Sequence, residues 1–150
     1  MSTTWILIAD SSRARIFEKK ENEKHLREIS DFVNAAGRAD DSELGTDERG
    51  RFYGRGEQYQ GHTAEPAVSA VEHENEMFSH ALADYLDSAR NARRYARLYL
   101  IAGPKFLGLL HGSLKEAVRE LVAGALVKDI STKDIREVEN YLPGKLDYFP

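Results

Sequence analysis

The chain has 150 residues, 41% of them hydrophobic and 31% charged, which excludes a disordered polymer and fits one globular domain with its own core. Its formal charge of −4 gives the surface no bulk attraction for polyanions, so a nucleic-acid contact would need a local basic patch. With no cysteine, disulfides, thiolate nucleophiles and cysteine-ligated zinc are excluded.

The first apolar run, over residues 4–10, reads Thr-Trp-Ile-Leu-Ile-Ala-Asp, as expected for a central strand buried on both faces. It is too short, and lacks the basic flank, for a secretory signal. No stretch approaches the roughly 18–20 apolar residues of a membrane span. The expected location is cytoplasmic, with no membrane contact.

Ser11-Ser12 marks a turn, and residues 13–19 alternate as a second strand with one exposed face. Residues 20–24 are polar and turn-like. Residues 25–33 alternate again, with Leu26 out of phase with Ile29, which suggests a bulge. Three strands with short links predict an antiparallel meander.

From about residue 35 to 66 the apolar signal almost vanishes, in a loop punctuated by six glycines from Gly37 to Gly61. Loops this long within one domain are usually either functional or disordered. Pro66 then sits in the first turn of a long helix. Val68, Val71, Asn75, Phe78, Leu82, Tyr85 and Ala89 form its core-facing stripe, and the helix ends near residues 91–94. Residues 97–103 are a second buried strand, and residues 104–110 a helical segment. Gly112-Ser113 reads as a break with a cap, Glu116 lying three residues after Ser113. The helix it starts runs to about residue 123, followed by a short strand over 125–130. Thr132 or Asp134 caps a last helix ending near 142–144, and residues 143–150 form a tail.

The order β-β-β, loop, α-β-α-β-α predicts a single α/β domain over residues 1–150, with one five-stranded mixed sheet covered by helices. Ribonuclease-H-like folds have this plan. In nucleases of that type an acidic residue at the end of the first strand binds catalytic metal, with carboxylates from the first helix and fourth strand. Asp10 occupies that place. The fourth strand, however, ends Ile101-Ala-Gly-Pro104 without a carboxylate, and one hard ligand cannot hold a pair of divalent ions. Asp10 therefore reads first as an acceptor of turn hydrogen bonds from Ser12 or Arg13. On the long helix His73, Glu76, His80, Asp84 and Asp87 share one stripe. His73 and His80 lie about 10 Å apart along the axis, too far for one ion, so the stripe reads as a solvated face. No cofactor motif occurs in a suitable strand-to-helix setting.

The loop carries most of the chemistry. Arg49-Gly-Arg51-Phe52-Tyr53-Gly54-Arg55-Gly56-Glu57-Gln58-Tyr59-Gln-Gly-His62 interleaves arginine, glycine and aromatics. Arginine pairs with phosphates, aromatics stack on unpaired bases, and glycine lets backbone approach a ligand. Asp40, Asp41, Glu43, Asp47 and Glu48 precede it and could neutralise it. RNA contact and a solvated, disordered loop both remain open.

Several stretches resemble the bacterial family of host attachment proteins (proteins required for attachment to host cells). They are Trp5-Ile-Leu-Ile-Ala-Asp10 with Arg13-Ala-Arg-Ile-Phe17, Gly37-Arg38, and Glu72-His-Glu74 with Phe78, Leu82 and Leu86. Ala102-Gly-Pro-Lys-Phe-Leu-Gly108 is similar to that family's Ala-Pro-Pro-Arg-Phe-Leu-Gly, and Lys128-Asp-Ile-Ser131 to its Lys-Asp-Leu-Thr. A more distant likeness is to the middle domain of the eukaryotic and archaeal peptide-chain release factor, whose loop carries Gly-Gly-Gln into the ribosomal peptidyl-transferase centre. Gly54-Arg-Gly-Glu-Gln58 occupies the corresponding place. This likeness implies Gln58 as the catalytic residue, Gly56 as the first motif glycine, and a ribosome or tRNA as partner. Read from its own residues, the loop offers Arg38, Arg49, Arg51, Phe52, Tyr53, Gly54, Arg55, Gly56, Tyr59 and His62 as candidate RNA- or partner-contact residues. Glu57 replaces the second glycine, whose backbone freedom a residue with Cβ matches only at a cost. That substitution turns the implied role from peptidyl-tRNA hydrolysis toward binding. The alternative is a protein-interaction factor that affects attachment indirectly, with a protein as the loop's partner. No cofactor or metal is called for, and oligomeric state is not legible.

Overall fold

The computed structural model describes residues 2–34 and 64–141, with the side chains of residues 64–69 outside the description. Most of the long loop and the tail over 142–150 therefore lie outside the described residues. Three strands come first: β1 (Thr3–Ala9), β2 (Arg13–Lys20) and β3 (Arg27–Val33). After the loop come α1 (Ala64–Asn91), β4 (Arg97–Ala102), α2 (Pro104–Ser113), α3 (Glu116–Arg119), β5 (Val122–Val127) and α4 (Ile135–Tyr141). The strands form one five-stranded mixed sheet in the order β3-β2-β1-β4-β5. β1–β2 and β2–β3 pair antiparallel, whereas β1–β4 and β4–β5 pair parallel.

β1 from Trp5 onward and β4 from Leu98 onward are buried and apolar or aromatic because both faces of the sheet are covered. On one face Trp5, Leu7, Leu98 and Leu100 pack against Leu82 and Leu86 of α1 and Phe106 and Leu110 of α2. On the other, Ile6, Ile8, Phe17, Tyr99 and Ile101 pack against Ile130 and Val138. Each such side chain contributes about 2–3 kcal/mol by leaving water. Trp5 is fully buried, stacks on Tyr95 with ring centroids 4.8 Å apart, and donates its Nε1–H to Glu18 Oε2 at 3.1 Å. The expected bulge lies in β3, where Ile16 opposes Ser30 but Phe17 opposes Glu28. The extra residue, Ile29, packs on the α1 face with Phe32 although the two are three apart, and Leu26 joins the opposite core.

Between β4 and β5 the expected boundaries shift. α2 does not break at Gly112-Ser113. The Ser113 hydroxyl donates to Leu109 O at 3.0 Å and meets Ser79 Oγ of α1 at 3.0 Å, so Ser113 docks one helix on the other instead of capping a new one. α3 is a single turn, and β5 starts three residues before position 125. The reason is backbone pairing. Leu121 O already accepts Leu98 N–H at 2.9 Å, while Ala123 and Gly124, weak strand formers, hide this start in the sequence. The cap of α4 is Asp134. Its Oδ1 accepts Glu137 N–H at 2.9 Å and Glu137 Oε1 accepts Asp134 N–H at 3.3 Å, a reciprocal capping box.

α1 ends in a Schellman turn. Arg94 N–H reaches Ala89 O and Arg93 N–H reaches Arg90 O, each at 2.9 Å. This places Arg93 at φ 58°, a left-handed position that costs a residue with Cβ about 1 kcal/mol. Among the described residues no helix is long and apolar enough to cross a membrane.

Candidate functional site

β1, β4 and β5 run parallel, so their carboxyl ends meet at one end of the sheet, where open α/β sheets form their ligand crevices. A cleft of about 770 Å³ opens there. Asp10 and Ser11 after β1, Gly103 after β4 and Asp129 after β5 stand at its strand side. Glu72, His73, Asn75 and Glu76 of α1 form one wall, and Pro104, Lys105, Phe106, Gly108 and Leu109 of α2 the other. The described walls thus set four carboxylates, Asp10, Glu72, Glu76 and Asp129, against one lysine, over apolar Phe106 and Leu109.

Asp10 behaves as the sequence suggests, with a further tie. Its Oδ1 accepts the backbone N–H of Ser12 at 2.7 Å, that of Arg13 at 2.8 Å, and the Ser12 hydroxyl at 2.8 Å. Its Oδ2 accepts the hydroxyl of Ser131. Burial pushes this carboxyl's pKa up, but the hydrogen bonds from Ser131, Ser12 and Arg13 together outweigh it and hold the group below its ordinary value. A carboxylate so saturated is a weak general base; it fastens the chain after β5 to the end of β1. The same stretch is gripped from β2. Buried Arg15 donates to Ser131 O at 3.1 Å and to Lys133 O, and forks onto Glu28 at 3.0 and 2.9 Å. The Arg15 hydrogen bond leads the causes that keep the Glu28 carboxyl below its usual range.

Asn34, where the described chain leaves the sheet, is fixed at the cleft. Its N–H donates to Ser12 O at 2.9 Å, and its side-chain amide donates to Ser11 O at 2.8 Å and Asn75 Oδ1 at 3.3 Å. The chain re-enters at Ala64, two turns of α1 before Glu72. Both attachments of the arginine-glycine-aromatic segment are therefore on this end of the molecule. The residues singled out within it, Arg38, Arg49, Arg51, Phe52, Tyr53, Gly54, Arg55, Gly56, Gln58, Tyr59 and His62, lie outside the described residues.

On α1, His73, Glu76, His80 and Asp84 are exposed, as a solvated stripe requires, and Asp87 pairs with Arg90 at 3.0 Å. Among the described residues no three metal-ligating side chains come together. Asn75 is a correction. Assigned to the core stripe by its spacing, it is half-buried at the cleft and accepts the Asn34 side-chain amide, a use that its polar side chain suits better than the core. Sequence reasoning also passed over Lys105 and Asp129 as cleft residues, and Arg15 and Ser131 as their supports. The rule that crevices form beyond the carboxyl ends of parallel strands would have found the first two. Parts of four stretches carrying the family resemblance meet here: Asp10, Glu72-His73, Gly103 to Phe106 with Gly108, and Asp129, with Ser131 tied to Asp10.

Solved structures similar to this chain include the following two. An archaeal protein matches with a TM-score of 0.46 and 10% identity, over 96% of this chain and 34% of that one. The Ppx/GppA phosphatase of Aquifex aeolicus, in its type II variant, matches with a TM-score of 0.36 and 14% identity, over 85% of this chain and 36% of that one. The chain spans about a third of the length of each. No curated protein sequence matches it. Residues 5–142, from the first core strand through the last helix, match the family described as "Protein required for attachment to host cells", and the chain belongs to that family.

Proposed function

We propose that this member of the family is an intracellular, cytoplasmic binding module that engages a ribosome or tRNA from the cleft end of its sheet. The segment holding Arg51, Arg55 and Gln58 makes the contact. The observation that carries this reading is the anchoring of Asn34 to Ser11, Ser12 and Asn75, which attaches that segment beside the cleft. Arginine forks for phosphates and aromatic faces for unpaired bases supply the chemistry. The saturated Asp10 carboxylate and the glutamate at position 57 favour binding over hydrolysis. The test is sedimentation of the purified protein with empty and stalled ribosomes on a sucrose gradient, beside an Arg55→Ala, Gln58→Ala variant. Co-migration that the variant loses is the expected result; protein remaining at the top of the gradient refutes the reading.

One observation favours a second reading. Four carboxylates around the cleft repel phosphates and suit a cationic protein segment. On this reading the module binds a protein and affects attachment to host cells indirectly. Affinity capture with the cleft variant Glu72→Gln, Glu76→Gln as control then recovers one protein that the variant loses. Recovery of only ribosomal RNA and ribosomal proteins counts against it.

A further inference from the structure

The opposite end of the sheet is built on other chemistry. The turn from α1 into β4 reads Arg90-Asn-Ala-Arg-Arg-Tyr-Ala-Arg97, four guanidiniums in a chain whose net charge is −4. Those of Arg90 and Arg94 are held in place. Arg90 donates its Nε and Nη2 to Asp87 Oδ1 at 3.2 and 3.0 Å. Arg94 lies over the Trp5 ring, 4.9 Å from its centroid, and donates to the Tyr85 hydroxyl at 3.1 Å while staying exposed. Arg93 is exposed and fixed in the left-handed position of the Schellman turn. Arg97 shares a cross-strand row with Thr4 and Lys19, which puts Lys19 about 10 Å away at ordinary strand spacing. Two of the carboxylates near the turn are engaged: Asp87 by Arg90 and Lys115, and Glu18 by Trp5 and Arg27.

Glycine would fit the position of Arg93 without strain, and strain retained at an exposed charged side chain points to a use for that side chain. We propose that this turn is a second binding surface, for the phosphate backbone of helical RNA. Preorganised guanidinium forks match phosphate oxygens. The surface is a turn at the sheet's end, and among the described residues no helix or ribbon projects from it to enter the major groove of DNA. A-form RNA offers its phosphates and shallow groove to such a surface. This assignment concerns residues apart from the 35–63 segment and stands without the ribosome reading.

The experiment titrates the whole chain against a short RNA duplex by fluorescence anisotropy at several salt concentrations. The expected result is salt-sensitive binding, about tenfold weaker in the Arg93→Gly, Arg97→Gln variant at low salt. The slope of log Kd against log salt should fall by about 2. Arg93→Gly relaxes a strained turn, so the variant's urea midpoint stays at or above that of the parent. Absent binding by the parent, or an unchanged Kd and slope in the variant, overturns the proposal. Equal affinity for a DNA duplex, or binding to phosphatidylserine vesicles alone, overturns the RNA assignment.

Discussion

The two ends of the sheet are held by different forces. At the cleft end, side chains distant in sequence tie three strands together: Ser131 reaches Asp10, and Arg15 reaches both Ser131 and Glu28. At the turn end, stacking and local backbone bonds do the work, with Arg94 on Trp5 and the Schellman pair closing α1. The cleft end is rich in carboxylates and the turn end in arginines, a separation that a net charge of −4 conceals. A surface charge sum is therefore a poor guide to what either end can bind.

The comparison breaks hardest at Arg15. Replacing it with Ala strands the Glu28 carboxylate and the carbonyls of Ser131 and Lys133, and should destabilise the protein by about 3 kcal/mol in urea unfolding. A loss no larger than that of an ordinary surface substitution contradicts the tied-end account. Asp10→Asn comes next, at about 1–2 kcal/mol near neutral pH, because an amide cannot accept every donor that Asp10 gathers. The pH dependence has a definite sign. The Asp10 carboxyl is depressed in the fold, so its contribution is complete above its unfolded value and disappears as pH falls through the folded one. Stability of the parent should decline on acidification below about pH 4, the unfolded carboxylate range, and Asp10→Asn should flatten that decline. Parallel curves for the two proteins would contradict it.

At the turn end the effects shrink. Arg94→Ala removes a guanidinium from the Trp5 face and should cost about 1 kcal/mol, read as a lower Tm and altered tryptophan fluorescence. The smallest effect has the opposite sign. Arg93→Gly should stabilise by a few tenths of a kcal/mol, since relief of about 1 kcal/mol of strain is partly offset by the freer unfolded chain. A lower urea midpoint in this variant argues against strain at that turn.

Much of this arrangement is legible in the residues. The unbroken apolar runs around Trp5 and Leu98 announce strands buried on both sides, and the β3 bulge shows in the phase slip between Leu26 and Ile29. The Asp10 turn and the Asp134 cap follow from short polar side chains beside free N–H groups. Other features were hidden for physical reasons. Ala123 and Gly124 carry no strand signal, so the sequence pattern shows β5 only from residue 125, three residues after its start at Val122. Ser113 looks like a cap from local spacing, but its partner Ser79 lies a helix away. The cleft was least legible, because Asp10, Glu72, Lys105 and Asp129 come together only through the parallel order of β1, β4 and β5. Local pattern carries hydrogen bonds and periodicity; it does not carry the meeting of strand ends.

The central claim is that the partner is met at the cleft end. A chain without cysteine allows a direct measurement: a photo-crosslinker on His73→Cys at the cleft rim, compared with one on exposed Asp84→Cys farther along α1 and away from both ends of the sheet, each with stalled ribosomes. The account predicts a crosslink to ribosomal RNA or tRNA from position 73 and none from position 84. No crosslink from position 73, or equal crosslinking from both, would contradict it.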